Sequence, residues 1–155
     1  MPNVVYSREI PLAVNTLYES VATFLESVAA QSLTDAVALS APAGKAGTVS
    51  VPVEVTITKR SRKDASVALI IKARSTKAFF PSFSGTIQTL AMSPSRTNLR
   101  LKGTYRPPLG PVGSTINAVA GLHNVAEDSL RGFFNRVVDE SVAAIRAESI
   151  ERHLS

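Results

Sequence analysis

His123 is the residue whose type and setting most invite chemistry. It falls on an apolar helical stripe, where a titratable imidazole facing a pocket would serve as acid or base. The competing placement is the stripe's margin, or a core histidine hydrogen-bonded to backbone. Tyr105 ends an alternating strand-like run and either turns its hydroxyl toward a ligand or is core with that hydroxyl satisfied. Arg8 shares parity with Val4, Tyr6 and Ile10, so its guanidinium points inward or snorkels out from an edge strand. Tyr18 is the fourth group of this kind. Folding and dehydrating a reactive chain needs acid and base groups within hydrogen-bond reach of it. Two or more of these four side chains converging on one cavity would therefore favour catalysis.

Other chemistry is thinly represented. The pairs Glu127/Asp128 and Asp139/Glu140 are sequence neighbours on a helix, so they point differently and read as solvated. His123 and His153 are the only histidines and there is no cysteine, which leaves no ligand set for a protein-built metal site. Nucleophile-elbow, phosphate-loop and dinucleotide motifs are missing, and no cofactor is implied. The densest basic cluster, Lys59-Arg60-Ser61-Arg62-Lys63, separates two strand-like runs and reads as a solvated hairpin tip. With no aromatics interleaved there, nucleic acid is not expected as a partner.

These residues must be held by something. The chain has 155 residues, 45% hydrophobic and 19% charged, with a net charge of +5. That length suits one domain spanning 1–155 with a sizeable core, and the composition argues against disorder. No apolar run approaches the ~18 residues of a membrane span. Met1–Glu9 lacks the layout of a signal peptide, and zero cysteines exclude a disulfide framework, so the cytoplasm is the expected compartment.

A strand is predicted over Val4–Ile10, stopped by Pro11. Val14, Leu17, Val21, Phe24, Leu25 and Val28 then follow helical spacing, with Thr16-Leu17-Tyr18-Glu19 as a candidate capping box. From Leu33 to Pro107 the period becomes two. Strands are predicted over Thr34–Ser40, Val49–Thr58, around Val67–Ala73, Ser84–Met92 and Thr97–Tyr105, the last two joined across Ser93-Pro94-Ser95-Arg96. Pro52 lacks a donor, so its strand is expected to be an edge there or to bulge. Ser114 or Thr115 would cap a long final helix carrying Ile116, Val119, Ala120, His123, Ala126, Leu130, Phe133, Phe134, Val137, Val138, Val142 and Ile145 on one stripe. Gly121 and Gly132 share a face of it. They serve a bend that admits ligand, a close approach to the sheet, or neither.

The order strand, helix, antiparallel strands, long helix makes an α+β fold, in which a sheet dry on one face must be covered. Only the final helix is long enough, so a curved antiparallel sheet gripping that helix is expected, with a hydrophobic gap between them. Three segments carry a family resemblance: Ile10-Pro11 before the first helix, Leu101-Lys102-Gly103-Thr104-Tyr105-Arg106-Pro107-Pro108-Leu109-Gly110, and Ala126-Glu127-Asp128-Ser129-Leu130-Arg131-Gly132-Phe133-Phe134. In these the chain resembles the START-like (SRPBCC, helix-grip) superfamily, which includes polyketide cyclases and lipid-transfer domains. Many of its members have seven strands where six are read here. The resemblance implies a domain that holds an apolar or amphipathic small molecule, and some relatives act chemically on it.

The leading expectation is thus a non-catalytic module binding a small lipid, polyketide or aromatic molecule, as a monomer or homodimer. An aromatase/cyclase-type enzyme using the same cavity is the alternative, and an adaptor binding a protein through an outer apolar patch is a third class. The cavity lining is expected from Val53, Val55, Leu69, Ile71, Leu101, Tyr105, Ile116, Val119, His123 and Phe133. Its mouth is expected between Phe79, Phe80 and Phe83 and the Pro107–Gly113 connector. Those phenylalanines either line the pocket or plug the sheet's end as core.

Overall fold

The computed structural model describes residues 3–34, 37–42, 48–74, 80–106 and 116–154. The elements run β1 (Asn3–Ile10), α1 (Val14–Thr34), β2 (Val37–Pro42), β3 (Thr48–Ser61), β4 (Ser66–Ala73), β5 (Ser82–Ser93), β6 (Arg96–Arg106) and α2 (Ile116–Leu154). The six strands form one sheet in the order β1-β6-β5-β4-β3-β2, every pair antiparallel. The expected α+β architecture, with a curled sheet around a long C-terminal helix, is present.

The curl follows from distances. The outer strands are separated by five ladder spacings, about 24 Å if the sheet were flat. Yet both touch α2. Tyr6 of β1 donates from its hydroxyl to the Glu127 carbonyl at 2.8 Å, and Arg136 Nη1 donates to the Ala38 carbonyl of β2 at 2.9 Å. A helix is only about 10–12 Å across with its side chains, so the sheet must wrap it. One cause is visible in the ladder. Gly85 and Gly103 face each other across β5 and β6, and the Phe83 ring lies over both. A Cβ at Gly85 would stand 2.3 Å from the Lys102 carbonyl, and one at Gly103 would stand 2.4 Å from that of Ser84. Only glycine permits that approach.

Alternation is clean on the concave face. Val51, Val53, Val55, Val67, Leu69, Ile71, Phe83, Ile87, Leu99, Leu101 and Tyr105 are buried there, against Ala126, Leu130, Phe133, Phe134, Val137 and Val138 of α2. α1 packs beside α2 and against β3, adding Leu17, Val21, Leu25 and Val28 to the same core. Ser20 donates to the Ser141 carbonyl at 2.7 Å, while buried Ser32 both donates to and accepts from the Val55 backbone.

Four local expectations are corrected. α1 begins at Val14, with Leu17 N bonded to the Ala13 carbonyl, so Thr16 lies inside the first turn and caps nothing. It also runs on to Thr34, which delays β2 to Val37. Pro52 sits on an internal strand. Its carbonyl accepts from Arg74 N, just past the last β3–β4 pair at Val53 and Ala73, so its missing donor faces a ladder that has ended. The basic cluster is not simply solvated. A register shift between Ile57 and Lys59 puts Arg60 on the concave side, where it pairs with Glu26 and with Glu19 at 3.3 Å and donates to the Tyr18 hydroxyl at 3.2 Å. Arg62 reaches Glu19 at 3.1 Å. Gly132 is exposed and has open space around its Cβ position, so close approach does not explain it.

Candidate functional site

Pairing register assembles the strand part of the site. Val55 stands opposite Ile71, Ile71 opposite Phe83, and Phe83 opposite Tyr105. These four side chains, each predicted as cavity lining, thus form one row across four strands of the concave face. Leu69 belongs to the next row with the Gly85–Gly103 pair, and Leu101 to the row after it with Tyr6. Val53 lies on the other side of the row, opposite Ala73. Phe80 and Phe133 are also buried, at 3% exposure each. Phe79 and the Pro107–Gly113 connector lie outside the described residues. Ile116, Val119 and His123 belong to the helical backbone of α2, and their side chains lie outside what is described.

The polar group on this face comes from a residue that the sequence reading assigned to solvent. Glu127 is half-buried on α2, whereas Asp128, Asp139 and Glu140 are exposed as expected. The phenol of Tyr105, 2% exposed, lies close enough to the Glu127 carboxylate to feel its charge. Burial first, then the nearby Glu127 carboxylate, raise its pKa from the ordinary 10.0. Tyr6 is raised as well. Burial is the largest cause, opposed by Arg131, whose guanidinium lies 5.4 Å from the ring centroid. Tyr6 stacks on Phe134 at 6.3 Å and anchors its hydroxyl on the Glu127 backbone, one turn before Arg131. Two phenols and one carboxylate therefore meet where the gripping helix crosses β1 and β6. A period-two parity places Tyr6 beside Leu101. Helical spacing does separate Glu127, three residues before Leu130 and seven before Phe134 on the apolar stripe, from Asp128, which falls off it; that signal was overlooked.

The remaining polar candidates go elsewhere. Arg8 has concave parity but is half-exposed and pairs with exposed Asp139 at 3.7 Å. Tyr18 is buried at the contact between α1 and β3, held by Arg60. Of Tyr105, Arg8 and Tyr18, only Tyr105 is turned toward the row.

Open depressions on the described surface include three clear ones. One of about 720 Å³ separates α1 from the C-terminal half of α2, lined by residues such as Thr23, Phe24, Ala144 and Ile145. Another, about 630 Å³, lies between Pro11 and the same half of α2. The third, about 160 Å³, is on the sheet around Ile70, Ser84 and Arg106. Among the described residues there is no group of three His, Asp or Glu able to hold a metal, and no helix is long and apolar enough to cross a membrane.

Among solved structures, the Zhui aromatase/cyclase from Streptomyces sp. R1128 matches with a TM-score of 0.56 at 14% identity, over 95% of this chain and 97% of that one. Norcoclaurine synthase from Thalictrum flavum, in complex with dopamine and hydroxybenzaldehyde, matches at 0.56 with 9% identity, over 94% and 87%. A protein from Thermus thermophilus matches at 0.53 with 20% identity, over 92% and 99%. At such identities the likeness is one of fold: the chain shares with these structures a curled antiparallel sheet around a long C-terminal helix. No protein-family model and no curated protein sequence matches the chain.

Proposed function

We propose that the protein binds a small apolar or amphipathic molecule between the concave sheet face and α2, with Glu127 and Tyr105 fixing its polar end. The observation that carries this reading is the Val55–Ile71–Phe83–Tyr105 row, apolar except for one phenol beside one half-buried carboxylate. Ligand sites are commonly built this way, from apolar walls and a few convergent polar groups. The half-buried carboxylate favours a ligand that offers a hydroxyl or amine to it, because an acceptor covered by an unmatched ligand would lose its remaining hydration. The same reading has residues 1–155 acting as one cytoplasmic domain, monomeric or homodimeric. Native mass spectrometry of protein purified without denaturant tests it. The expected result is a bound small molecule, depleted in Leu101→Trp, which fills the face. Material retained equally by that variant would contradict the site.

A second reading is favoured by the Glu127–Tyr105 pair itself. A carboxylate and a phenol side by side can supply a base and a proton donor, which is what cyclisation and dehydration of a polyketide-like chain would need. The Zhui neighbour's name places an aromatase/cyclase on this fold. Glu127→Gln separates the two readings. A binder keeps its cargo unchanged in mass, whereas an enzyme loses about 10²–10⁴-fold in turnover while still binding.

A further inference from the structure

The charges of this chain are sorted by layer. α1 and α2 hold eight of the 12 carboxylates and only four of the 17 cations, so the helical layer is net −4. The sheet and its connections hold the other four carboxylates and 13 cations, net +9, which together make the chain's +5.

Register places much of that positive charge on the convex face. β6 turns Arg100, Lys102 and Arg106 outward, since Leu99, Leu101 and Tyr105 point in. One outward row runs Val5, Lys102, Thr86, Ala68, Lys59 across five strands. Ser82 pairs with Arg106, and Lys72 joins them in lining the 160 Å³ depression. The two carboxylates on this face are already engaged. Glu9 pairs with Arg96 at 3.1 Å and Glu54 with Arg74 at 3.7 Å. Among the described residues, no carboxylate lies within ion-pair distance of Lys59, Lys72, Arg100 or Lys102. Hydroxyls of Ser84, Thr86 and Thr104 fill the spaces. Val5, 58% exposed, and Leu90 stand outward among the cations, with Met92, 61% exposed, at the adjoining turn. No outward position of the described strands is aromatic.

We propose that this convex face docks on the surface of an anionic lipid bilayer. Cations within reach of anionic headgroups are attracted to them, and interspersed aliphatic side chains enter the interface. A net-negative helical layer on the opposite side is repelled, so one orientation is selected. Single-stranded nucleic acid would want aromatic platforms for its bases, and this face offers none. The proposal stands on charge placement and is independent of what the concave face holds.

Sedimentation with vesicles tests it. Wild-type protein should bind vesicles of equal parts phosphatidylserine and phosphatidylcholine at low salt. It should not bind phosphatidylcholine alone, and it should come off at about 1 M salt, where screening reaches about 3 Å. Lys72→Glu with Lys102→Glu should weaken binding about a hundredfold. Lys63→Glu with Arg146→Glu changes the net charge equally but off the face, and should stay within about threefold of wild type. Lys102→Glu alone provides a milder variant, and an unchanged circular dichroism spectrum confirms each fold. The proposal is overturned by absent binding, by equal binding to neutral vesicles, or by equal loss in both double variants. A DNA duplex that displaces the protein at equal phosphate concentration would overturn it in favour of nucleic acid.

Discussion

Tyr18 and Tyr105 are both phenols with 2% exposure, and their partners are of opposite charge. Tyr18 accepts from Arg60, whose guanidinium also lies 5.6 Å from its ring centroid and pairs outward with Glu19 and Glu26. That cluster ties the β3–β4 hairpin to α1, and every charge in it is answered by another at the surface. Tyr105 lies beside Glu127, a single carboxylate half-buried against an apolar row. The first arrangement is closed chemically and contributes to stability. The second leaves acceptor capacity on the carboxylate, which is what a binding site requires.

Breaking the row's support should have the largest effect. Gly103→Val sets a branched side chain 2.4 Å from the Ser84 carbonyl and 2.6 Å from Gly85 Cα, so chemical denaturation should show a loss of about 3 kcal/mol or more. Gly132→Ala is the foil, since that Cβ meets nothing, and helix propensity should raise stability by up to about 1 kcal/mol. Next comes the Tyr18 end. Arg60→Met removes a cation–π contact and two ion pairs whose carboxylates are about half-exposed, so screening limits the loss to about 1–2 kcal/mol. Ligand retention should be untouched there.

At the Tyr105 end the signature is reversed. Tyr105→Phe should change stability by less than about 1.5 kcal/mol while weakening ligand binding about tenfold. A variant that lost stability and binding together would erase the distinction between the ends. The smallest effect is alkaline. Tyr6 and Tyr105 both have raised pKa values, so each holds its proton more tightly folded than unfolded. The stability this confers is complete below pH 10 and declines as pH rises above it. Tyr105→Phe should flatten part of that decline in denaturant melts taken between neutral and alkaline pH.

The strands were legible because one face is dry, and alternation from Val49 to Tyr105 says so residue by residue. Six strands were expected and six are present among the described residues. Glu127's half-burial was legible in its spacing, three and seven residues before Leu130 and Phe134 of the stripe, and only its place beside Tyr105 needed the fold. Arg60 was misplaced for a different reason. A single extra residue at Thr58 reverses parity, and the sequence Thr56-Ile57-Thr58-Lys59 carries no glycine or proline to mark it. Pro52 was read correctly as lacking a donor, but what spares it is where β4 stops, a property of another segment.

The three tyrosines of this chain are its own probes, two at the gripped end and one at the α1 contact. With tyrosine labelled at Cζ with carbon-13, the spectrum should hold three resonances, assigned by Tyr→Phe substitution. On titration with 1-naphthol, an apolar ring bearing one hydroxyl, the Tyr105 signal should move most, Tyr6 less, and Tyr18 not at all. Movement of Tyr18 alone, or three unmoved signals at saturating 1-naphthol, would contradict a ligand site on the Val55–Ile71–Phe83–Tyr105 row.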